Sequence, residues 1–313
     1  MTDSRPTVAV VVPVFNEDPV LPELFARLEA LFRSNADCAW RAVFVNDGSR
    51  DRSAEMLRDQ GLRDPRFEAV ELSRNFGFQS ALSAGLAHAK GADAVVTMDA
   101  DLQDPPELIP ELVSAWRSGA EVVRAVRRSR SETGLRRVGF DFFHAVFGRL
   151  TDIPIDSNSG TFGLLGRPAL EAFAQLPERN RFFPGLRAWI GFATADVAYD
   201  RQERAAGKPK QTFRRLIRYA VDGFFSFSYL PLRCLTLAGI AVSFLGFALG
   251  IYFIAKRLLG IETATTGFTT LVSLVTFLGG IQLIGIGVLG EYLGRIYDEV
   301  KQRPIYLVKP PRR

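Results

Sequence analysis

Two carboxylates one residue apart, in Asp99-Ala100-Asp101, are the feature of this sequence with the clearest chemical potential. Such a pair can hold one hard cation: Mg2+ or Mn2+ prefers oxygen ligands and commonly bridges to substrate phosphates. Gln103 can add a carbonyl oxygen. A lone Asp-X-Asp is common on protein surfaces, so its setting decides its weight. Here it follows an apolar run, Ala94 to Met98, and precedes Asp104-Pro105-Pro106, which reads as a helix start. Two further polar clusters, Asn16-Glu17 and Asn46-Asp47-Gly48-Ser49, also follow apolar runs. The two histidines, His88 in an expected helix and His144 in a Phe-rich segment, read as structural.

The elements that must carry these clusters alternate between strand and helix. Thr7 to Val14 is a β-branched run suited to a buried parallel strand. Asp18 and Pro19 read as an N-cap and first helical residue, opening a helix through Leu24, Leu28 and Leu31. Strands are expected at Trp40 to Val45, Phe67 to Leu72, Ala94 to Met98 and Glu121 to Val126, with helices after Asp51, near Gln79 to Ala89, and after Asp104. Repeated β-α units imply right-handed crossovers and a mostly parallel α/β sheet with helices on both faces. Ligands of such sheets sit beyond the carboxyl ends of the strands, where all three polar clusters fall.

The chain has 313 residues, with 39 Lys+Arg against 34 Asp+Glu for a net charge of +5, and is 47% hydrophobic. That composition excludes a disordered chain, and the lack of a dense basic stripe argues against nucleic-acid binding. Cys38 and Cys234 do not make a disulfide framework, which fits a reducing cytosol for the soluble part. No signal peptide opens the chain, because Val8 to Val14 is short and Asn16-Glu17-Asp18 follows at once.

Charge is missing from two stretches, the 22 residues Cys234 to Ala255 and the 28 residues Thr263 to Gly290. A membrane-spanning helix needs roughly 20 apolar residues, so a two-helix transmembrane hairpin is expected. Arg214, Arg215, Arg218 and Arg233 precede the first span; Arg295, Lys301, Arg303, Lys309, Arg312 and Arg313 follow the second. By the positive-inside rule both termini lie in the cytoplasm. Phe213, Leu216, Ile217, Ala220, Val221, Phe224 and Phe225 recur at helical spacing opposite the arginines, as in a helix lying in the headgroup layer; Leu135 to Leu150 is a second such candidate. The expected organisation is 1–212 catalytic domain, 213–230 juxtamembrane helix, 231–256 and 267–290 membrane helices around a 257–266 loop, and a 291–313 cytoplasmic tail. Gly239, Ser243, Gly246 and Gly250 allow close helix contact, within the hairpin or in a homo-oligomer.

Four motifs occur in order: Val12-Pro13-Val14-Phe15-Asn16-Glu17, Asn46-Asp47-Gly48-Ser49, Ser73-Arg74-Asn75-Phe76-Gly77, and Asp99-Ala100-Asp101-Leu102-Gln103-Asp104-Pro105-Pro106-Glu107. Together they resemble the family 2 glycosyltransferases of GT-A fold, in the branch that glycosylates polyprenyl phosphates. The C-terminal Gly290-Glu291-Tyr292-Leu293-Gly294-Arg295 and Arg303-Pro304-Ile305-Tyr306 resemble the tail of its bacterial two-span members. The resemblance implies that Pro13, Phe15, Glu17, Val45 and Asp47 hold the nucleotide's base and ribose. Asp99 and Ala100 would face the ribose and diphosphate, and Asp101 with Gln103 and Asp99 the metal. Arg127, Arg204 and Lys210 would lie near the donor diphosphate and acceptor phosphate. Three departures stand out: Asn46 for an Asp, Ser159-Gly160-Thr161-Phe162 where many relatives have Gly-Asp-Phe, and Gln211 for an aromatic.

What the resemblance implies is an inverting transfer from a nucleotide-sugar, UDP-linked hexose as first guess, to undecaprenyl phosphate at the plasma membrane of a bacterium. GDP-mannose, UDP-N-acetylhexosamine and aminopentose donors stay open. A lipid phosphate is already ionised near neutral pH, so no general base is required. A processive polysaccharide synthase would carry more spans and a Gln-X-X-Arg-Trp motif, whereas Gly185-Leu186-Arg187-Ala188-Trp189 lacks the Gln. A non-catalytic membrane scaffold is disfavoured by the intact Asp99, Asp101, Gln103, Arg204 and Lys210.

Overall fold

The computed structural model describes residues 5–128, 159–179, 181–200, 230–259 and 267–310. The juxtamembrane stretch at 213–229, the Phe-rich stretch at 135–150, His144, Arg204, Lys210 and Gln211 lie outside the described residues. Two compact units emerge: Met1–Arg149 with Ile153–Arg215 and Arg303–Arg313, and Leu150–Asp152 with Leu216–Gln302.

Within the first unit, β1 (Thr7–Val14), β2 (Ala39–Asn46), β3 (Phe67–Glu71) and β4 (Ala94–Thr97) are separated by α1 (Leu21–Ser34), α2 (Ser53–Arg63) and α3 (Phe78–His88). A 3-10 turn, Pro106–Leu108, runs into α4 (Ile109–Arg117), followed by β5 (Val122–Arg127). Beyond the expected elements come β6 (Ser159–Gly166), α5 (Arg167–Gln175), α6 (Phe183–Trp189) and β7 (Thr194–Tyr199). The described strands form one seven-stranded sheet ordered β3-β2-β1-β4-β6-β5-β7. All neighbours pair in parallel except β6, which is antiparallel to both β4 and β5.

Burial explains the pattern of the strands. Val8 to Val12 of β1 are fully buried because helices cover both faces of the sheet, which is why this run is continuous rather than alternating. Leu21, Leu24, Phe25, Leu28, Leu31 and Phe32 line the inward stripe of α1. There Phe25 meets Phe44 edge-on at 5.4 Å between ring centroids, and Phe32 stacks on Trp40 at 5.5 Å. On the other side, α3 packs on β1 and β2. Gly85 makes that fit possible: a Cβ there would collide with Val11 Cγ1 and come within 3.1 Å of Val45 Cγ2.

The strand order creates the crevice. From β1 the chain steps outward through β2 to β3, then returns through α3 to β4 on the other side of β1. With right-handed crossovers α3 lies opposite α1 and α2, and the carboxyl ends of β1 and β4 diverge at this switch point.

The start of α1 departs from the sequence expectation. The helix begins at Leu21 and its N-cap position is Val20, without a side-chain cap. Glu17 O accepts from Val20 N at 3.1 Å and Leu21 N at 3.2 Å, while Asp18 N donates to Asp51 Oδ2 at 3.2 Å. Asp18 therefore ties two loops together instead of capping the helix.

In the second unit, α7 (Leu230–Leu258) and α8 (Phe268–Val300) contain 29 and 33 residues. At about 1.5 Å per residue they extend roughly 44 and 50 Å, longer than the hydrocarbon core of a bilayer. Among the described residues one stretch, Phe277–Val300, is long and apolar enough to cross a membrane; Cys234–Leu249 is a shorter apolar stretch.

Candidate active site

The polar clusters converge on the carboxyl edge of the sheet. Asn16 N donates to Ser49 Oγ at 3.0 Å, Glu17 N to Ser53 Oγ at 3.0 Å, and Arg50 N to Asn16 Oδ1 at 2.8 Å. Ser49 N in turn donates to Asn46 Oδ1 at 2.9 Å. The β1–α1 and β2–α2 loops are thereby laced into one wall. Asn16 adopts a left-handed φ of 54°, which an asparagine tolerates better than most residues. Asn46, where an Asp was the expected type, serves this wall as a neutral acceptor. Pro13 and Val45 are register partners below the wall, both buried; Phe15 and Glu17 are half-buried at its rim.

Asp47 is buried and already in use. Its carboxylate accepts from Phe76 N at 2.7 Å, Gly77 N at 2.9 Å and Asn75 Nδ2 at 3.0 Å. Burial pushes its pKa above the ordinary value, against the pull of those two backbone N–H groups and of Arg74. The next residue has to be glycine. Gly48 has φ +68°, and a Cβ there would lie 2.6 Å from the backbone of Arg74 and Asn75. The sequence motifs at 46–49 and 73–77 are thus two halves of one structure, a turn and the loop it clamps.

The third cluster follows β4. Asp101 is buried, and its Oδ1 accepts from Gln103 N at 3.2 Å; Asp99 and Gln103 are half-buried and Ala100 is buried. Between them Leu102 is held at φ 60° with its side chain fully buried. A non-glycine residue in that region costs roughly 1–2 kcal/mol, and such strain concentrates at functional sites. This left-handed backbone at Leu102, held by its buried side chain, keeps Asp101 and Gln103 on one tight turn. Thr161 Oγ1 donates to Asp99 Oδ1 at 3.3 Å, and Thr97 Oγ1 donates to Thr161 O at 2.5 Å. The Ser159-Gly160-Thr161 segment therefore presents a hydroxyl to Asp99, where a third carboxylate was the family expectation.

Sequence reasoning missed the link from this turn to Arg127. Tyr199, at the end of β7, donates its buried hydroxyl to Asp104 Oδ1 at 2.7 Å. Arg127 Nε donates to the same hydroxyl at 3.5 Å. Burial, then the Asp104 charge, pushes the Tyr199 pKa far up, so the phenol stays protonated and keeps donating. Arg127 also lies beside Gly160: its Nη2 would be 3.3 Å from a Cβ there. The contacts Gln103–Asp101, Thr161–Asp99 and Arg127–Tyr199–Asp104 are three hydrogen-bonded sets that meet along residues 99–104 of the chain, while Arg204 and Lys210 lie outside the described residues.

The candidate donors are all oxygen, two carboxylates and a carboxamide within residues 99–103, and among the described residues no group of three or more His, Cys, Asp or Glu is placed to hold a metal ion. That fits a cation held by few protein ligands and completed by phosphate oxygens, as Mg2+ or Mn2+ is. A seven-stranded sheet with one reversed strand, an Asp-X-Asp turn at its switch point and a laced polar wall at the same carboxyl edge is a GT-A-type arrangement.

The chain belongs to glycosyl transferase family 2, whose model matches residues 9–173. It is 45% identical over 302 residues to an uncharacterized glycosyltransferase of Synechocystis, covering 96% of this chain and 94% of that one. It is 41% identical over 307 residues, 98% of each chain, to a prophage-derived bactoprenol glucosyl transferase of Shigella flexneri. Among solved structures, a Pyrobaculum calidifontis mannosyltransferase in complex with GDP-mannose and Mn2+ aligns with a TM-score of 0.49 at 16% identity, covering 96% of this chain and 89% of that one. The protein is a glycosyltransferase.

Proposed function

We propose that this glycosyltransferase moves a hexose from a UDP-linked donor such as UDP-glucose to a polyprenyl phosphate at the cytoplasmic face of a bacterial plasma membrane. The observation that carries the reading is likeness to a bactoprenol glucosyl transferase along 98% of both chains, long C-terminal helices included. In this reading residues 1–212 are catalytic, both long helices span the bilayer, and both termini are cytoplasmic.

The chain's own residues divide the work. The wall built by Asn16, Ser49 and the Asp47-clamped loop receives the nucleoside. Asp99, Asp101 and Gln103 would hold Mg2+ or Mn2+, which supplies Lewis-acid neutralisation of the charge growing on the leaving diphosphate. Arg127, oriented by Tyr199, adds a fixed positive charge on the same side, and Arg204 and Lys210 are assigned to the phosphates of donor and acceptor. Charges fixed before the reaction need not reorganise during it. The nucleophile is an oxygen of the lipid phosphate, ionised at neutral pH, so no side chain has to remove a proton. Direct displacement inverts the anomeric carbon.

The test is a donor panel with detergent-solubilised full-length protein, undecaprenyl phosphate and Mg2+ or Mn2+, read by mass spectrometry. UDP-glucose, UDP-galactose, UDP-N-acetylhexosamines and GDP-mannose are supplied singly. The expected product is a lipid monophosphate-linked hexose from one UDP donor, lost in Asp101→Asn and on chelation. No product from any donor, with wild type matching Asp101→Asn, refutes the reading and favours a scaffold role.

A further inference from the structure

The last described residues of the chain return to the first unit and extend its sheet. Leu72 and Val308 form an antiparallel bridge. Around it Ser73 N donates to Leu307 O at 2.8 Å, and Lys309 N donates to Glu71 O at 2.7 Å. Lys309 Nζ also sits 3.8 Å from Glu71 Oε2. Just upstream, Ile305 and Tyr306 line a cavity of about 230 Å³ with Leu86, Leu170 and Phe173 on α3 and α5. Burial raises the Tyr306 pKa, with Arg181 opposing. Leu307 and Val308 themselves are 54% and 51% exposed, so backbone pairing holds this segment more than burial does.

What lies across β3 gives the pairing its meaning. On the other flank Leu72 N donates to Asn46 O at 3.0 Å, one residue before Asp47. Glu71 to Ser73 is thus gripped between Asn46 and the tail, and the chain leaves this grip directly into Arg74-Asn75-Phe76-Gly77. Those residues supply the three N–H donors to the Asp47 carboxylate. A loop anchored on one flank can swing about that anchor; held on both flanks it cannot.

We propose that Leu307–Lys309 is a positioning element of the donor pocket: by pairing with Glu71–Ser73 it holds the 74–77 loop in register with Asp47 and keeps the nucleoside wall formed. The inference rests on the donor-pocket reading above and extends it to a segment far away in sequence.

Two substitutions at one position separate backbone pairing from charge. Lys309→Pro removes the N–H that donates to Glu71 O; Lys309→Ala removes only the exposed ion pair. Full-length protein in detergent is compared by hydrogen exchange at the Phe76 and Gly77 amides and by calorimetric titration with UDP and Mg2+. Lys309→Pro is expected to lose protection at those amides and to bind UDP about three- to tenfold more weakly, the worth of roughly one hydrogen bond. KM for the donor should rise in step with kcat little changed. Lys309→Ala should stay within about twofold of wild type, as exposed ion pairs do. A chain ending at Tyr306 should repeat the Lys309→Pro result. Unchanged protection in Lys309→Pro overturns the inference whatever the affinity does. Lost protection with unchanged UDP affinity overturns the link to the pocket. Should wild type bind no nucleotide, the donor-pocket reading fails with its dependent, while the exchange data still judge the pairing.

Discussion

Replacing Tyr199 by Phe should loosen the site without altering its outline. The hydroxyl is buried and donates to a carboxylate, Asp104 Oδ1, at 2.7 Å. The ring, edge-on to Phe162 at 5.7 Å, is retained in the variant. Hydrogen bonds to charged groups contribute about 1.5–3 kcal/mol, so a loss near 2 kcal/mol is expected. For a unit of this size each kcal/mol shifts the melting temperature by roughly 2–4 °C, which puts the fall at about 4–8 °C. Arg127 loses its partner at 3.5 Å, and kcat/KM for the donor should fall about three- to tenfold, equivalent to roughly 1 kcal/mol. The assay is thermal unfolding of full-length protein in detergent, repeated for Asp104→Asn and for the double variant. Because the two side chains touch, their effects should overlap, with a coupling of about 0.5–3 kcal/mol. Additive losses, or a melting temperature within about 1 °C of wild type, would show that the bond does not hold the turn.

Two further outcomes test the scaffold. Gly85→Ala should destabilise by about 1–3 kcal/mol despite alanine's better helix propensity, because the added methyl meets Val11 and Val45 on fully buried strands; an unchanged or higher melting temperature would mean that α3 is not seated this closely. Two N–H groups of Arg27, at 2.9 and 2.5 Å, hold the Glu107 pKa below its ordinary 4.5, so this pairing contributes stability above pH 4.5 that is lost on acidification. The melting temperature of Glu107→Gln should therefore fall less than that of wild type as pH drops from about 5 to 3, and parallel curves would contradict the assignment.

The legible part of the fold was the part whose order is local. β1, β2 and β4 are apolar runs closed by Asn or Asp, and α1 and α4 carry apolar stripes, so patterning together with cap and turn residues located β1 to β5 within a residue or two. The Asp-X-Asp turn and the 46–49 cluster were legible for the same reason. β6, with the sequence Ser-Gly-Thr-Phe-Gly-Leu-Leu-Gly, has three glycines and no period, and it is a strand because β4 and β5 flank it. Tyr199 was missed because its partner Asp104 is 95 residues away; the alternation of Thr194 to Tyr199 was the available signal. Asp18 was misread because Asp51, from another loop, claims its backbone N–H. The tail pairing could have been suspected from Ile305-Tyr306-Leu307-Val308, an apolar run bracketed by Pro304 and Pro310.

The tail also sets a clock on biosynthesis. β3 is the edge of the sheet, and the outward C=O of Glu71 and N–H of Ser73 at its end wait for partners that come more than two hundred residues later, at Leu307 and Lys309. At about 5–20 residues per second that wait lasts on the order of ten to fifty seconds. Throughout it the nascent protein carries an open β edge, a template for pairing with other chains. The bridge at Leu72 forms only after the apolar helices have been synthesised, so a ribosome stalled inside them would leave Glu71 to Ser73 still able to recruit a neighbour.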